Sequence, residues 1–210
     1  MIPSLGLSLL KPEFFTRSEI TKIAAELIGK ILISNIGGEP TAGIIVETEA
    51  YSGTDDRACH AHNKKRIPRT ETMFLEGGHT YVYLCYGMHH LFNVVTNVEG
   101  EPDAVLIRAL QPIDGMEAMA QRRGLPENSL KISRGPACLS QALGINKSHN
   151  ALNLITSEVI QIYEAPKRIA PIKIVSSKRI GVDFAGKDSE KLWRFYENGN
   201  PWVSSRPTQK

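Results

Sequence analysis

Two glutamates stand two residues apart in the segment Val46-Glu47-Thr48-Glu49-Ala50-Tyr51. The β-branched run Ile44-Ile45-Val46 leads into them, so residues 43–51 read as a strand. Alternate side chains of a strand share a face. Glu47, Glu49 and Tyr51 are therefore expected on one side, and Ile44, Val46, Thr48 and Ala50 on the other. A pair of carboxylates on a strand is commonly solvated surface. Glu49, however, closes an otherwise apolar strand beside Tyr51. A partly desolvated carboxylate in such a place serves as a general base.

Further candidates follow along the chain. Tyr81, Tyr83 and Tyr86 fall within six residues. Tyr81 reads as core. Tyr86, followed by Gly87-Met88 at a hairpin end, is expected to be exposed, and an exposed aromatic suits stacking on bases or wedging between them. Arg108 lies inside the apolar strand Val105-Leu106-Ile107-Arg108-Ala109-Leu110. A guanidinium there needs a carboxylate or another ordered polar partner, and Glu49 is the expected one. Cys59-His60-Ala61-His62 and His89-His90 invite a zinc reading, but no CxxC or HExxH spacing accompanies them. In an extended segment Cys59 and His60 would also point in opposite directions. His60 reads better as a pocket wall or a hydrogen-bond partner. The basic residues Lys64, Lys65, Arg66, Arg69, Arg134 and Lys147, with the stretch Lys167–Arg179, are either solvated surface or phosphate contacts. No phosphate-cradling glycine loop and no Gly-x-Ser-x-Gly elbow is present.

The chain that must position these groups has 210 residues, 25 basic and 22 acidic side chains and a net charge of +3. That balance permits a nucleic-acid partner without requiring one. A hydrophobic share of 41% with mean hydropathy −0.20 is globular, neither disordered nor membrane-embedded. The opening Met1-Ile2-Pro3-Ser4-Leu5-Gly6 lacks the basic stretch of a signal peptide. Three cysteines, Cys59, Cys85 and Cys138, show no paired spacing, which suits reduced thiols in the cytosol. Thr16 and Glu19 read as a capping box opening a helix whose apolar face is Ile20, Ile23, Ala24, Leu27 and Ile28, with Gly29 past its end. Strands are expected at 30–34, 43–51, 81–86, 91–96, 104–110, 159–163 and 172–176. Residues 52–80 read as irregular, and the strands around Gly87 as a hairpin. One helix is expected with Asp114 as N-cap, Glu117 in its third position and Gly124 as its stop. Another has Pro136 in its first turn and Gly144 past its end. The aromatic tail (Trp193, Phe195, Tyr196, Trp202) is expected to pack back on the body. Strands outnumber regular βα alternation, so an α+β chain with a mixed, largely antiparallel sheet edged by helices is expected, as one domain over residues 1–210.

Taken in order, Val46-Glu47-Thr48-Glu49-Ala50-Tyr51, His60, Tyr81-Val82-Tyr83, Tyr86-Gly87-Met88, Asn93 and Leu106-Ile107-Arg108-Ala109-Leu110 resemble the alkyladenine (3-methyladenine) DNA glycosylase family. The likeness continues through Arg134-Gly135-Pro136, Gln141-Ala142-Leu143, Ile145-Asn146-Lys147-Ser148, Arg179-Ile180-Gly181-Val182, Arg194-Phe195-Tyr196 and Pro201-Trp202-Val203-Ser204. It covers nearly the whole chain beyond about residue 10, with order and spacing kept over many blocks.

The resemblance implies a curved antiparallel sheet flanked by helices, akin to the C-terminal domain of methionyl-tRNA formyltransferase. It implies a monomeric hydrolase of N-glycosyl bonds that works on damaged double-stranded DNA without metal or organic cofactor. The substrates would be alkylated or deaminated purines such as 3-methyladenine, hypoxanthine and ethenoadenine. Carried over residue by residue, Glu49 takes the place of the general base and Arg108 helps to hold the attacking water. The Ile180 carbonyl supplies another contact to that water. Tyr51 stacks on one face of the flipped base, and His60 and Tyr83 close the other. A backbone group of His60 reads the purine edge, Asn93 excludes a guanine 2-amino group and Leu106 forms a wall. Tyr86, flanked by Gly87 and Met88, fills the gap left in the duplex. With no lysine at the matched pocket positions, no Schiff-base lyase step is expected. His89-His90 stands where vertebrate members carry bulkier groups, so different minor-groove contacts are expected. The chain also lacks their long N-terminal extension, which suggests a bacterial, nucleoid-associated protein. Two other readings stand beside this one. A non-catalytic nucleic-acid-binding module would give no role to Glu49 and Arg108. An enzyme on RNA or a small nucleoside would show no preference for damaged duplex.

Overall fold

The computed structural model describes residues 6–166 and 171–204. A short helix α1 (Pro12–Phe15) is followed by α2 (Ile20–Leu27), which turns Ile20, Ile23, Ala24 and Leu27 inward as the apolar spacing predicts. The expected capping box does not form. Pro12 opens a turn of its own and the Thr16 amide closes it on the Pro12 carbonyl, so Thr16 ends α1 instead of starting α2. Glu19 precedes α2 without a side-chain capping hydrogen bond, its carboxylate standing 3.9 Å from Lys22 Nζ instead.

Strands β1 (Ile31–Ile36), β2 (Glu39–Tyr51), β3 (Thr80–Cys85), β4 (His89–Thr96), β5 (Asp103–Asp114) and β6 (Ile160–Tyr163) form one antiparallel sheet in the order β3-β4-β5-β2-β1-β6. Strand β8 (Arg194–Glu197), which sequence reasoning left as an aromatic tail, pairs with residues 47–49 of β2. Strand β7 (Ile174–Ser177) pairs in turn with β8. The curled sheet is backed by α2, α3 (Met116–Arg123) and α4 (Pro136–Ala142), with Phe15, Leu27, Phe92, Ile107, Met119 and Leu139 fully buried between the layers. The expected helix N-cap moves by one residue. The β2–β5 ladder runs as far as Asp114, so Gly115 makes the corner with φ +69°, and a Cβ there would stand 2.4 Å from the Pro40 carbonyl oxygen.

The register between β2 and β5 shifts at three places, once at Ala42/Gly43 and twice beside the glutamates. Ile45 faces Leu110 and Glu47 faces Ala109, which leaves Val46 as an extra residue on β2. Thr48 then faces Ile107, which leaves Arg108 as an extra residue on β5. Strict alternation therefore fails across this stretch. Ile45 and Ala50 pack into the core beneath the helices and the Thr48 hydroxyl donates to the Ala24 carbonyl of α2. Val46 packs in a separate cluster with Ala109, Tyr196 and Val203, on the face that carries Glu47, contrary to the expected pattern.

Candidate active site

A cavity of about 480 Å³ opens between the end of β2, the β3–β4 hairpin, β5 and the loop at 180–184. Tyr51, His60, Tyr83, Asn93, Leu106, Arg108 and Ile180 all line it, so seven residues scattered over 130 positions of sequence meet at one hollow. The segment at 58–62 turns instead of extending, so Cys59 and His60 face the same cavity. Burial raises the Cys59 thiol to about 12, which leaves it protonated and inert.

Glu49 has no exposed surface and lies directly behind this wall. Three donors hold its carboxylate, and each belongs to a cavity-lining residue. The Tyr51 hydroxyl donates to Oε2 at 2.7 Å, Arg108 Nη1 donates to Oε2 at 3.0 Å, and the Ile180 amide donates to Oε1 at 2.8 Å. The group that reaches Glu49 from Ile180 is thus its N–H. An ionised carboxylate offers about four lone-pair positions over its two oxygens. With three taken, the one left open is on Oε1, beside the Ile180 backbone. Burial first, and then the Glu49 charge, push the Tyr51 hydroxyl well above its ordinary pKa, so it stays a donor.

Glu47 has a different task. It too is fully buried, and it accepts from Arg108 Nε at 2.9 Å, Arg194 Nε at 2.8 Å, the Ser204 amide at 2.7 Å and the Ser204 hydroxyl at 2.8 Å. Burial by itself would raise its pKa, but Arg108, Arg194 and the Ser204 amide outweigh that and hold the carboxyl below its ordinary range. Arg108 therefore bridges two carboxylates with one fork. Only a guanidinium has donors spaced to do so. The extra-residue position of Arg108 in the ladder aims it between them. Sequence reasoning singled out both glutamates but paired Arg108 with Glu49 alone, and gave Glu47 and Arg194 no part in holding the site. The one signal for them was a second acid and a second arginine in otherwise apolar strands.

Tyr51 is fixed from a further side. Arg179 stands 4.7 Å from its ring centroid and 5.3 Å from that of Trp193, and is itself buried against Asp56, with Nη2 to Oδ1 at 2.7 Å. Arg179 is absent from the cavity lining, so it backs the tyrosine on the outer side. Its inclusion in a solvated basic stretch is corrected by this burial: Asp56 and the carbonyls of Ala50 and Asp188 accept from its two terminal nitrogens, while Nε has no acceptor among the described residues. Lys167 and Arg168 of the same stretch lie outside the described residues.

The opposite wall is aromatic. The Tyr83 ring lies 4.6 Å from the His60 ring and 5.3 Å from the buried Tyr81 ring. His60 Nε2 faces Arg69 Nη2 at 3.2 Å and Nδ1 faces the Tyr81 hydroxyl at 2.9 Å. A guanidinium can only donate. His60 Nε2 therefore accepts, and the proton of the neutral ring sits on Nδ1. Burial first, and the Arg69 charge second, lower the His60 pKa to about 4, so the ring is neutral at physiological pH.

The β3–β4 hairpin carries Tyr86, Gly87 and Met88 past the rim. Tyr86 is 90% exposed and Met88 70%, and Tyr86 takes φ +50° beside Gly87 at φ +70°. A bulky residue in the left-handed region costs of order 1 kcal/mol or more, and such strain concentrates at functional positions. Across the mouth, Phe184 lines the same cavity and is 75% exposed, a rim aromatic that sequence reasoning did not single out. The remaining basic candidates do not meet at the hollow. Lys64 pairs with Glu101 at 2.6 Å and Arg66 with Glu71, so acids already hold both. Arg134 donates Nε to the Val203 carbonyl at 2.7 Å, while Lys65 and Lys147 are exposed away from the cavity. Among the described residues no helix is long and apolar enough to cross a membrane.

Residues 13–201 match the family model described as Methylpurine-DNA glycosylase (MPG). A protein of Natranaerobius thermophilus named "Putative 3-methyladenine DNA glycosylase" is 44% identical over 193 residues, covering 91% of this chain and 96% of that one. Proteins of the same name are 41% identical in Clostridium perfringens strain SM101, over 92% of this chain and 98% of theirs, and 42% identical in Chlamydia felis, over 90% and 96%.

Proposed function

The chain belongs to the methylpurine-DNA glycosylase family, a monofunctional DNA glycosylase of base excision repair that acts on 3-methyladenine-type damage, and from that premise we propose how its own residues do the work. The reading is hydrolysis of the N-glycosidic bond of a purine flipped out of duplex DNA, by water that Glu49 activates, leaving an abasic site. Its substrates are alkylated and deaminated purines, 3-methyladenine, hypoxanthine and ethenoadenine among them. The observation that carries it is the Glu49 carboxylate: fully buried, held by three residues that line the aromatic hollow, Tyr51, Arg108 and Ile180, and left with one open lone-pair position.

A base inside the duplex is out of reach, and extruding it costs a few kcal/mol. Tyr86 is the group placed to fill the gap, because its ring projects past the rim on a turn whose strained backbone aims it outward. Gly87 and Met88 travel with it into the minor groove. The flipped purine enters between Tyr51 and the His60–Tyr83 wall, where stacking contributes about 1–3 kcal/mol. A backbone group of His60 takes the purine edge. Asn93, whose Nδ2 is tied to the Tyr81 carbonyl at 3.0 Å, guards the side where guanine carries its 2-amino group, and Leu106 walls the slot.

Departure of the base leaves an oxocarbenium-like sugar. The Glu49 charge stabilises it and Oε1 takes a proton from the water that attacks, as the general base does in an inverting glycoside hydrolase. Arg108 and the Ile180 backbone position that water. Arg134, Lys65, Arg66 and Lys147 serve as phosphate contacts outside the hollow. The protein acts as a monomer, with residues 1–210 as one catalytic unit, and its place of work is the nucleoid. Incubation with a hypoxanthine-containing duplex tests the activity: alkali-labile sites at the lesion are expected, and binding without such sites, or equal action on undamaged strands, would overturn it.

A further inference from the structure

Two guanidinium groups line the hollow, Arg69 and Arg108, and two more, Arg179 and Arg194, stand behind it. Three have carboxylates. Arg108 and Arg194 share Glu47, Arg108 also meets Glu49, and Arg179 meets Asp56. Arg69 alone of these has no carboxylate among the described residues. Its neighbours on the same loop, Lys64 and Arg66, do have one. The Arg69 guanidinium lines the cavity, stands 5.0 Å from the Tyr83 ring centroid and donates to His60 Nε2. A positive charge is thus fixed on the aromatic wall against which a flipped base would stack.

We infer that Arg69 is a specificity-determining residue of this site, a cation on its aromatic wall that sets neutral purine lesions above purines carrying a positive charge. The inference rests on the reading of the hollow as the base pocket. Two effects act in the same direction. Like charges a few ångströms apart repel, and the repulsion grows when DNA covers the mouth and displaces water. A guanidinium lying against Tyr83 also uses the electron-rich ring face that would otherwise attract a cationic base. A neutral base such as hypoxanthine meets neither penalty and can accept a hydrogen bond from the guanidinium. The Arg69 charge adds, second to burial, to the lowering of the His60 pKa at this wall.

The test uses full-length wild type, R69Q and R69K, at pH 8, where an ordinary imidazole is neutral whether or not Arg69 is present. Single-turnover excision is measured on two duplexes of one sequence, carrying 3-methyladenine (cationic while attached to the sugar) or hypoxanthine (neutral). Asn93 is common to all three proteins, so its effect cancels from the comparison. The cationic-to-neutral rate ratio is expected to rise at least about threefold in R69Q and to stay within error in R69K. The same two duplexes are compared by equilibrium affinity in E49Q and E49Q/R69Q, which reads the discrimination without turnover. An unchanged ratio in both readouts overturns the inference. So does an equal loss of affinity for both duplexes with a flatter salt dependence, which would make Arg69 a phosphate contact. Release of neither base by wild type would instead overturn the proposed activity, while the affinity ratio still decides the role of Arg69.

Discussion

The Tyr51 hydroxyl donates to Glu49 Oε2 over 2.7 Å, so a side chain that faces the hollow and the carboxylate behind it form one hydrogen-bonded unit. The two residues are neighbours on one face of β2, and Arg179 clamps the ring from its outer side. A base stacked on Tyr51 would thereby be positioned relative to Glu49 with little freedom left to lose.

Glu49→Gln keeps the shape of the side chain and removes its basicity and charge. Excision in single turnover is expected to fall by about 10²–10⁴-fold or more, with affinity for lesion duplex retained. Unchanged excision would remove Glu49 from the mechanism.

Glu47 is predicted to matter for stability first. Glu47→Ala leaves the Arg108 and Arg194 donors without their shared acceptor in a buried site, at an expected cost of about 3–5 kcal/mol in urea unfolding. Against the upward pull of burial, Arg108 and Arg194 hold the folded carboxyl below its ordinary value of 4.5. Its contribution is therefore complete above about pH 4.5 and fades as the pH falls through the lower folded value. A variant as stable as wild type at neutral pH would contradict this assignment.

Tyr86 should behave in the opposite way. At 90% exposure it packs against little, so Tyr86→Ala is expected to change stability by no more than about 0.5 kcal/mol. The flipped population, read by a base-stacking fluorophore beside the lesion, should drop. Normal flipping in the variant would refute the wedge.

His60 gives a second acid signature, in a higher pH window. Its pKa is about 4 when folded, against about 6.5 for a free imidazole, so between those values the unfolded chain binds a proton that the folded chain refuses. Stability is therefore expected to fall as the pH drops from about 6.5 towards 4, with a limiting slope near 1.4 kcal/mol per pH unit from this group. His60→Gln should lack that component, which urea titrations at pH 7, 6 and 5 would resolve.

Much of the architecture follows from local pattern. The apolar spacing of α2, the β-branched lead into Glu47, the Tyr86-Gly87 corner and the glycines after α3 and α4 each state their element, because helix and strand periods and positive φ leave direct marks in residue order. The candidate residues Glu49, Tyr51, Tyr83, Tyr86 and Arg108 were likewise legible, as polar or aromatic groups in places where apolar or solvated ones are the norm. Pairing was not legible. Whether Arg108 serves one carboxylate or two depends on two one-residue shifts in the β2–β5 ladder, and a register shift leaves no mark in composition because it arises between strands some sixty positions apart. The same holds for Arg179, which residue order groups with a basic surface and packing buries against Asp56 and Tyr51. It holds also for Arg69, whose loop neighbours meet acids while its own guanidinium meets an imidazole and a ring. Residue types are chosen one position at a time. Charge compensation, and with it the chemistry of each group, is decided by which distant side chain the folded backbone brings within about 3 Å.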